Sequence, residues 1–275
     1  MYNLFLNNNK LKPVFLITSF VVIAVVVLNA NPFNGETVAP MDLLSNRQGW
    51  HSLQLSIEHI HPERSDVLDG RLPNWIFMKH EIRNGRFPIW NPTRAGGVQA
   101  IQSFTRSAFS PAFLTFCLFE SDALGYYISH IVNILIALCG TFLFLRKIVD
   151  PVASYFGSIV YTFCGFNAAR FFWPHYSTSI WIPWLLFAGL NCLQSMQIKH
   201  LVGLSLASLM LILGGFPMVA VFGYITLGIL TLSYYWNHRI PLKQILFQVS
   251  VLGLFLGASF LIAAPTIYPF KEVLG

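Results

Sequence analysis

Apolar runs of about 20 residues recur along this chain, and short polar segments separate them. The first run covers 13–30, and the later runs cover 124–145, 151–169, 178–195, 200–214, 217–236 and 245–264. A helix needs about 20 mostly apolar residues to cross the hydrocarbon core of a bilayer. The pattern therefore predicts an all-α fold, a polytopic transmembrane helix bundle of about seven spans that forms a single domain over 1–275.

The first apolar run is compatible with a signal peptide or with a membrane anchor. Lys10 and Lys12 stand before it, and cleavage after Ala30 would place Leu28 three residues before the cut. A small residue is preferred at that position. We therefore interpret the run as an uncleaved anchor whose N-terminus lies in the cytoplasm.

Residues 31–123, between the first two spans, are predicted to form a large extracytoplasmic loop with interfacial helices. Within this loop, 108–119 is apolar but too short to cross a bilayer, so we expect it to lie in the interface or to re-enter. Charged residues alternate with tryptophan and phenylalanine over 65–92, in contrast to the rest of the chain. This stretch is therefore the first place to look for chemistry.

A helix is predicted over 73–84, because Pro73 suits a first helical turn and Asn84–Gly85 suits a helix end. One face would hold the apolar side chains of Trp75, Ile76, Met78 and Ile82, and another the basic side chains of Lys79, His80 and Arg83. Such a helix is typical of a membrane interface. Trp90 and Asn91 are expected to pack back against the spans as an anchoring corner.

Composition supports a membrane protein and changes how the charge is interpreted. The chain is 55% hydrophobic and 10% charged, with a mean hydropathy of +0.60, whereas about a quarter of the residues in a soluble domain are charged. The net charge of +6 is explained by basic residues in the predicted cytoplasmic turns, which are Arg146, Lys147, Lys199, Arg239 and Lys243. A nucleic-acid partner is set aside, since no basic-aromatic motif of a nucleic-acid module is present. A bacterial plasma membrane is the expected location.

The acidic residues are distributed unequally between the two predicted faces. Of the 11 acids, only Asp150 falls on the cytoplasmic side. The others are Glu36, Asp42, Glu58, Glu63, Asp66, Asp69, Glu81, Glu120, Asp122 and Glu272. Acids scarcely influence insertion, so this bias indicates either chemistry at the outer surface or a solvated loop.

Several other polar residues have two readings. The histidines of "EHIHPE" over 58–63 could bind a divalent metal, although two histidines in a loop are a weak signal. His130 lies inside the second span, where hydrogen bonding across helices is the expected role. The four cysteines lie in apolar runs without CxxC spacing and are expected to be core thiols.

A resemblance to a known family begins in the charged stretch. The run from Gly85 to Pro92, "GRFPIWNP", followed by Gly96–Gly97, resembles the signature of bacterial YfhO-type membrane proteins, which belong to the GT-C class of glycosyltransferases. The ordered series continues with Gly157, Tyr161, Gly165, Trp181, Pro183, Gly214, Gly215, Pro217, Pro265, Thr266 and Glu272. The resemblance covers the chain from about Asp42 onward. Phe216 and Met218 depart from it, because many relatives place His and Gln there.

The resemblance implies transfer of a sugar from a polyprenyl-phosphate donor to a cell-envelope acceptor outside the cytoplasm. Family members are considerably longer, so this chain is expected to be an N-terminal fragment. An inverting transfer needs a carboxylate base near the acceptor hydroxyl. The family places an acid seven residues before a proline, which Asp66 and Pro73 fit. Asp69 and then Asp42 are the rivals of Asp66, and the alternative role of Asp66 is capping of the following helix.

The donor phosphate should meet a cationic group. Arg170 is the first candidate, with snorkelling at the interface as the alternative. His175 is a second candidate for phosphate contact, with a purely interfacial role as the alternative. Trp90, Asn91 and Glu272 complete the predicted substrate-binding set.

Two other classes of function remain open. A lipid or solute transporter, or a flippase, often has broken helices near the midplane of the membrane, and Gly214–Gly215 with Pro217 is a candidate break. A non-catalytic membrane subunit is the third class. Loss of an envelope sugar on deletion would favour the enzyme, whereas altered lipid or solute distribution with normal glycans would favour transport.

Overall fold

The computed structural model describes residues 11–34, 36–46, 65–94, 96–101 and 107–274, with side chains for all of these except 11–13, 42, 45, 46 and 269–274. The α-helices are α1 Leu11–Leu28, α2 Leu72–Arg83, α3 Pro111–Leu118, α4 Asp122–Leu145, α5 Pro151–Thr162, α6 Gly165–Ala169, α7 Pro174–Ser179, α8 Ile182–Gln194, α9 Ile198–Leu213, α10 Pro217–His238 and α11 Leu242–Leu274. Short 3₁₀ helices cover Pro32–Asn34 and Met41–Asn46, and a π-helical turn covers Val67–Arg71. The strands β1 Trp90–Asn91 and β2 Val98–Gln99 pair antiparallel. The all-α prediction is confirmed.

Within the part of the chain that the structure describes, three helices are long and apolar enough to cross a membrane. They are α4, α10 and the Leu242–Tyr268 part of α11, while α9 and the Val14–Leu28 part of α1 are apolar but shorter. The predicted spans 200–214 and 217–236 correspond closely to α9 and α10. Gly214–Gly215 forms the turn between these two helices rather than a break inside one helix, and Gly215 has a φ of +94°.

The prediction of one continuous span over 151–169 was wrong. Helix α5 ends at Thr162, and the five-residue helix α6 begins at Gly165. At the break the backbone of Cys164 is extended (ψ 158°), and Nδ2 of Asn167 donates to the carbonyl oxygen of Tyr161 at 2.8 Å. This bond satisfies a carbonyl at the end of α5 that a continuing helix would otherwise satisfy.

Two further predicted spans have different bounds in the structure. The predicted span 178–195 begins only at Ile182, with α7 as a separate short helix before it. The predicted span 245–264 lies inside α11, which is 33 residues long. Glu272, which the prediction placed outside the last span, therefore lies within α11.

Helix α4 lies at the centre of the packing and contacts α1, α3, α5 and α8. Gly140 lets α8 approach closely, since a Cβ at this position would overlap the indole of Trp184. The same indole donates its Nε1 hydrogen to the carbonyl oxygen of Ile136 at 2.8 Å. A glycine and a tryptophan thus fix the contact between α4 and α8.

The segment between α1 and α4 packs against α4 through an apolar core of its own, here called the loop cluster. Its largest fully buried members are Trp75, Met78, Phe113, Phe116 and Tyr126. The ring of Trp75 lies 5.3 Å from that of Phe113 and 6.2 Å from that of Tyr126 on α4. Aromatic contacts of this kind stabilise beyond the area they bury, so α2 is held on the bundle.

Candidate functional site

The charged stretch folds into one helical segment, in which Ser65 and Asp66 are followed by the π-helical turn Val67–Arg71 and then by α2. The backbone N–H of Leu72 donates to the carbonyl oxygen of Val67, five residues earlier. Pro73 comes next. Because proline has no backbone N–H, it cannot donate the hydrogen bond that an α-helix would form to the carbonyl four residues earlier. Single π-helical turns occur frequently at functional sites.

Arg71, the last residue of the π-helical turn, reaches into the bundle. Its Nη1 donates to the carbonyl oxygen of Phe172 at 2.7 Å, and its Nη2 donates to Oγ of Ser177 at 2.8 Å. The guanidinium also lies 4.9 Å from the ring centre of Trp75. Nε is buried and has no hydrogen-bond partner. Among the residues described, none offers a carboxylate that pairs with Arg71.

Burial changes the acidity of this group but not its charge at neutral pH. Removal from water lowers the pKa of Arg71 from 12.5 to about 10, because burial disfavours the charged form. Since 10 is well above 7, the guanidinium stays protonated. Arg71 is therefore a cation whose hydrogen-bond partners are all neutral.

Two ring side chains of α4 adjoin this cation. Tyr126 and His130 are close enough to interact electrostatically with Arg71. The phenol oxygen of Tyr126 and both ring nitrogens of His130 are buried without a hydrogen-bond partner. We call Arg71, Tyr126, His130 and Ser177 the Arg71 cluster.

The expected role of His130 in hydrogen bonding across helices was wrong for the part of the chain that the structure describes. Its imidazole is surrounded by aromatic rings instead. The ring centres of Tyr126, Phe171 and Phe172 lie 4.5, 5.0 and 5.3 Å away. These rings leave no acceptor or donor within hydrogen-bonding distance of the imidazole.

The structure places Asp66 at the start of the π-helical turn, with an exposed side chain. This carboxylate makes no capping hydrogen bond to the helix, so the capping role is not observed. Because π-helical hydrogen bonds join residues five apart, positions 66 and 71 lie on successive turns of the same side. Asp69 is exposed within the turn.

Other predicted acids are described only in part or not at all. Asp42 lies in the 3₁₀ helix Met41–Asn46, and Glu272 lies near the end of α11, but both side chains are outside the described set. The "EHIHPE" run over 58–63 lies outside the described residues. Within the described ranges, no group of three or more residues could hold a metal ion.

Arg170 is exposed at the end of α6, with its guanidinium 5.2 Å from the ring centre of Trp173. His175 stacks on Phe216 at 3.5 Å, and its Nδ1 is buried without a hydrogen-bond partner. Both arginines, Arg170 and Arg71, interact electrostatically with His175. His175 thus lies within electrostatic range of both Arg71 and the other predicted phosphate contact, Arg170.

The prediction that Trp90 packs against the spans was wrong. Its side chain is 54% exposed, whereas that of Asn91 is 2% exposed. Successive side chains of a strand point to opposite faces, so burial of Asn91 in β1 turns Trp90 outward. Asn91 packs on α2 rather than on a span, donating from Nδ2 to Oδ1 of Asn74 at 3.4 Å and accepting from the hydroxyl of Thr93 at 2.7 Å.

Lys79 lies on the buried face of α2, contrary to the predicted division of this helix. Its Nζ donates to Oδ1 of Asp122 at 2.6 Å and to the carbonyl oxygen of Glu120 at 2.9 Å. The ammonium also lies 4.7 Å from the ring centre of Phe116. These contacts pin α2 to the first turn of α4. Ile76 and Ile82, predicted to share the apolar face, are exposed.

The sequence analysis did not predict that Arg71 reaches into the bundle, although a signal was present. Arg71, Asn74, Trp75 and Met78 occur at i, i+3, i+4 and i+7, the spacing of one helix face. A charged residue at the first position of a helix face that is otherwise buried indicates a cation directed into the core.

The cysteine prediction is confirmed as far as bonding is concerned. All four cysteines are free, with Cys192 buried and Cys117, Cys139 and Cys164 half-buried. Burial raises the pKa of the Cys117 thiol to about 11, so this thiol stays protonated at neutral pH and is a poor nucleophile.

Comparison of the chain with protein-family models, with curated proteins and with solved structures gave no match. The resemblance to YfhO-type proteins therefore stays a prediction.

Proposed function

We propose that this protein is a membrane glycosyltransferase of the GT-C class that transfers a sugar from a polyprenyl-phosphate donor to a cell-envelope acceptor. The chain would cross a bacterial plasma membrane about seven times, with its N-terminus in the cytoplasm. The segment between α1 and α4 would then lie on the extracytoplasmic side. The resemblance to YfhO-type proteins supports the same function.

One observation supports the proposal most directly. Asp66 is an exposed carboxylate that makes no capping bond and lies one π-helical turn before a cation held in the protein. Transfer to a hydroxyl requires a base beside the acceptor and a positive charge beside the leaving phosphate. A single helical segment supplies both groups.

In the proposed step, the carboxylate of Asp66 takes the proton of the acceptor hydroxyl. The acceptor oxygen then forms a bond to the anomeric carbon of the sugar as the bond from that carbon to the phosphate oxygen breaks. The electron pair of the broken bond leaves on polyprenyl phosphate, and attack from the opposite face inverts the configuration.

The function is tested by comparing envelope glycans of cells that have or lack the full-length gene. Loss of one sugar from an envelope polymer on deletion, with recovery on complementation, is expected. Complementation with an Asp66→Asn variant should fail to restore the sugar. Unchanged glycans in the deletion strain would refute a glycosyltransferase.

A transporter or flippase is the second candidate, and one observation favours it. The chain after α5 continues as the short helices α6 and α7 instead of one span, and broken helices are a feature of transporter binding sites. Altered distribution of a lipid or solute across the membrane, with normal envelope glycans, would support this class.

A further inference from the structure

Among the described residues, no carboxylate compensates the positive charge of the Arg71 cluster. Each Nη atom donates one hydrogen bond to a neutral oxygen, and Nε is buried without a hydrogen-bond partner. A buried charge is costly unless it is paired. Guanidinium donors match the oxygen spacing of phosphate and carboxylate groups, so the open Nε is suited to one oxygen of an anion.

The unpartnered atoms near Arg71 share one chemical property, which is that they can donate hydrogen bonds. The phenol of Tyr126 donates through its O–H, and a neutral imidazole at His130 donates through one N–H. Both side chains are almost fully buried. More than about nine in ten buried polar groups in native proteins have a partner. Together with the positive charge of Arg71, these donors suit an anion as the ligand.

The charge of the cluster limits the charge of the anion. Arg71 is the one charged member of the cluster as defined, while Asp66, Asp69 and Arg170 are exposed to solvent. In a medium of low dielectric constant, a second negative charge would lack a partner and would be expensive to bury. A phosphodiester has one negative charge, whereas a diphosphate has at least two.

The depth of the cluster indicates a ligand attached to a lipid. Tyr126 comes four residues after Asp122, the first residue of α4, and His130 comes eight residues after it. At a rise of about 1.5 Å per residue, these positions lie roughly 6 and 12 Å along the helix. If α4 crosses the membrane, that range spans the head-group layer and the edge of the hydrocarbon core.

From these observations we infer that Arg71, Tyr126 and His130 form a binding site for a lipid-borne phosphodiester. Nε of Arg71, the phenol O–H and the imidazole N–H donate to its two free oxygens, and the single positive charge selects a monoanion over a diphosphate. The inference rests on the proposed function for the identity of the ligand as a polyprenyl phosphosugar. Binding without any acceptor nevertheless tests it separately from transfer.

The experiment measures binding to the full-length protein in nanodiscs, with a polyprenyl phosphosugar, a polyprenyl diphosphate and inorganic phosphate as probes. We expect the phosphodiester to bind at least about tenfold more tightly than the diphosphate. Arg71→Gln should weaken phosphodiester binding at least about tenfold. Arg83→Gln, a change at an exposed arginine near the other end of α2, is the matched control and should leave binding within about twofold.

Tyr126→Phe keeps the test informative if Arg71→Gln fails to fold. The hydroxyl that this change removes makes no hydrogen bond among the described residues, so the melting temperature should not fall. Loss of one hydrogen bond to a charged ligand should weaken phosphodiester binding about tenfold. Lower affinity at unchanged stability is a result that a purely structural role for Tyr126 would not produce.

Several results would overturn the inference. One is parental affinity in the Tyr126→Phe variant, and another is loss of binding in Arg170→Gln while Arg71→Gln binds normally. Equal or tighter diphosphate binding would refute the charge selection, and competition by inorganic phosphate at equal concentration would refute a lipid-borne ligand. A lipid-saturated structure with only water in the cluster would refute the site. Phosphodiester binding without sugar transfer would refute the proposed function alone.

Discussion

Replacement of Asp66 by alanine separates catalysis from helix capping, and the chain offers a matched control. Asp150 caps α5 directly, because its Oδ1 accepts hydrogen bonds from the backbone N–H groups of Val152 at 2.9 Å and Ala153 at 3.1 Å. Asp66 also precedes a helical turn, but its backbone is helical (φ −58°, ψ −25°) where that of Asp150 is extended, and its side chain makes no such bond. Loss of a cap costs about 1 kcal/mol, so Asp150→Ala should lower the melting temperature by roughly 2–4 °C, whereas Asp66→Ala should leave it unchanged.

The effect on activity should be the reverse of the effect on stability. A general base typically contributes about 10²- to 10⁴-fold to the rate, so Asp66→Ala should reduce sugar transfer by that factor in reconstituted full-length protein. Asp150→Ala should transfer at close to the parental rate. The assay combines transfer from a polyprenyl phosphosugar with thermal unfolding of the same preparations.

Each contrary result has a definite meaning. A stability loss of about 1 kcal/mol in Asp66→Ala would show that the side chain caps the helix after all. Parental activity in Asp66→Asn, with inactive Asp69→Asn or Asp42→Asn, would move the base to another acid. Full activity in all three single variants would refute a catalytic role for this stretch.

Three further predictions follow from the described contacts. Lys79→Met should destabilise the protein by about 1–2 kcal/mol in thermal unfolding, because the change removes charge-assisted bonds between α2 and the start of α4. The pKa of Glu81 is lowered to about 2, mainly by hydrogen bonds from Arg86. The stability that this pair contributes should therefore be present above pH 4.5 and be lost as the pH falls through about 2. In Arg86→Gln, the pKa of Glu81 measured by NMR titration should rise towards 4.5. Single cysteines at Ser45 and Asn237 should be labelled from opposite sides of the membrane, and labelling from the same side would refute the proposed topology.

Local signals in the sequence were sufficient to predict the bounds of α2. The predicted bounds 73–84 agree with Leu72–Arg83 to within one residue, because Pro73 suits a helix start and Gly85 adopts a φ of +71° after the helix end. These residues act on the backbone nearest to them. No distant partner is needed for their effect, so a pattern of residue types is enough to predict it.

Features that depend on distant partners were not predictable in this way. Burial of Lys79 requires a carboxylate 43 residues further along the chain. At the break after α5, the side chain of Asn167 donates a hydrogen bond to the carbonyl of Tyr161. The mostly apolar run 151–169 gives no sign of this contact. At the candidate site, Asp66 was selected through the resemblance to YfhO-type proteins, and its role stays a prediction. The hydrogen bonds of Arg71 were not predictable, because the carbonyl and hydroxyl oxygens that accept them come from residues 101 and 106 positions away.

The π-helical turn determines how many residues would separate an acid and an arginine equivalent to Asp66 and Arg71 in other sequences. In a regular α-helix, residues advance about 100° each, so positions five apart differ by roughly 140° and face different directions. Positions four apart differ by roughly 40° and share a face. A protein with an uninterrupted α-helix here would therefore present the same two groups together only if one residue were deleted between them. An acid and an arginine separated by three residues in such a protein would be the equivalent of the pair separated by four residues in this chain.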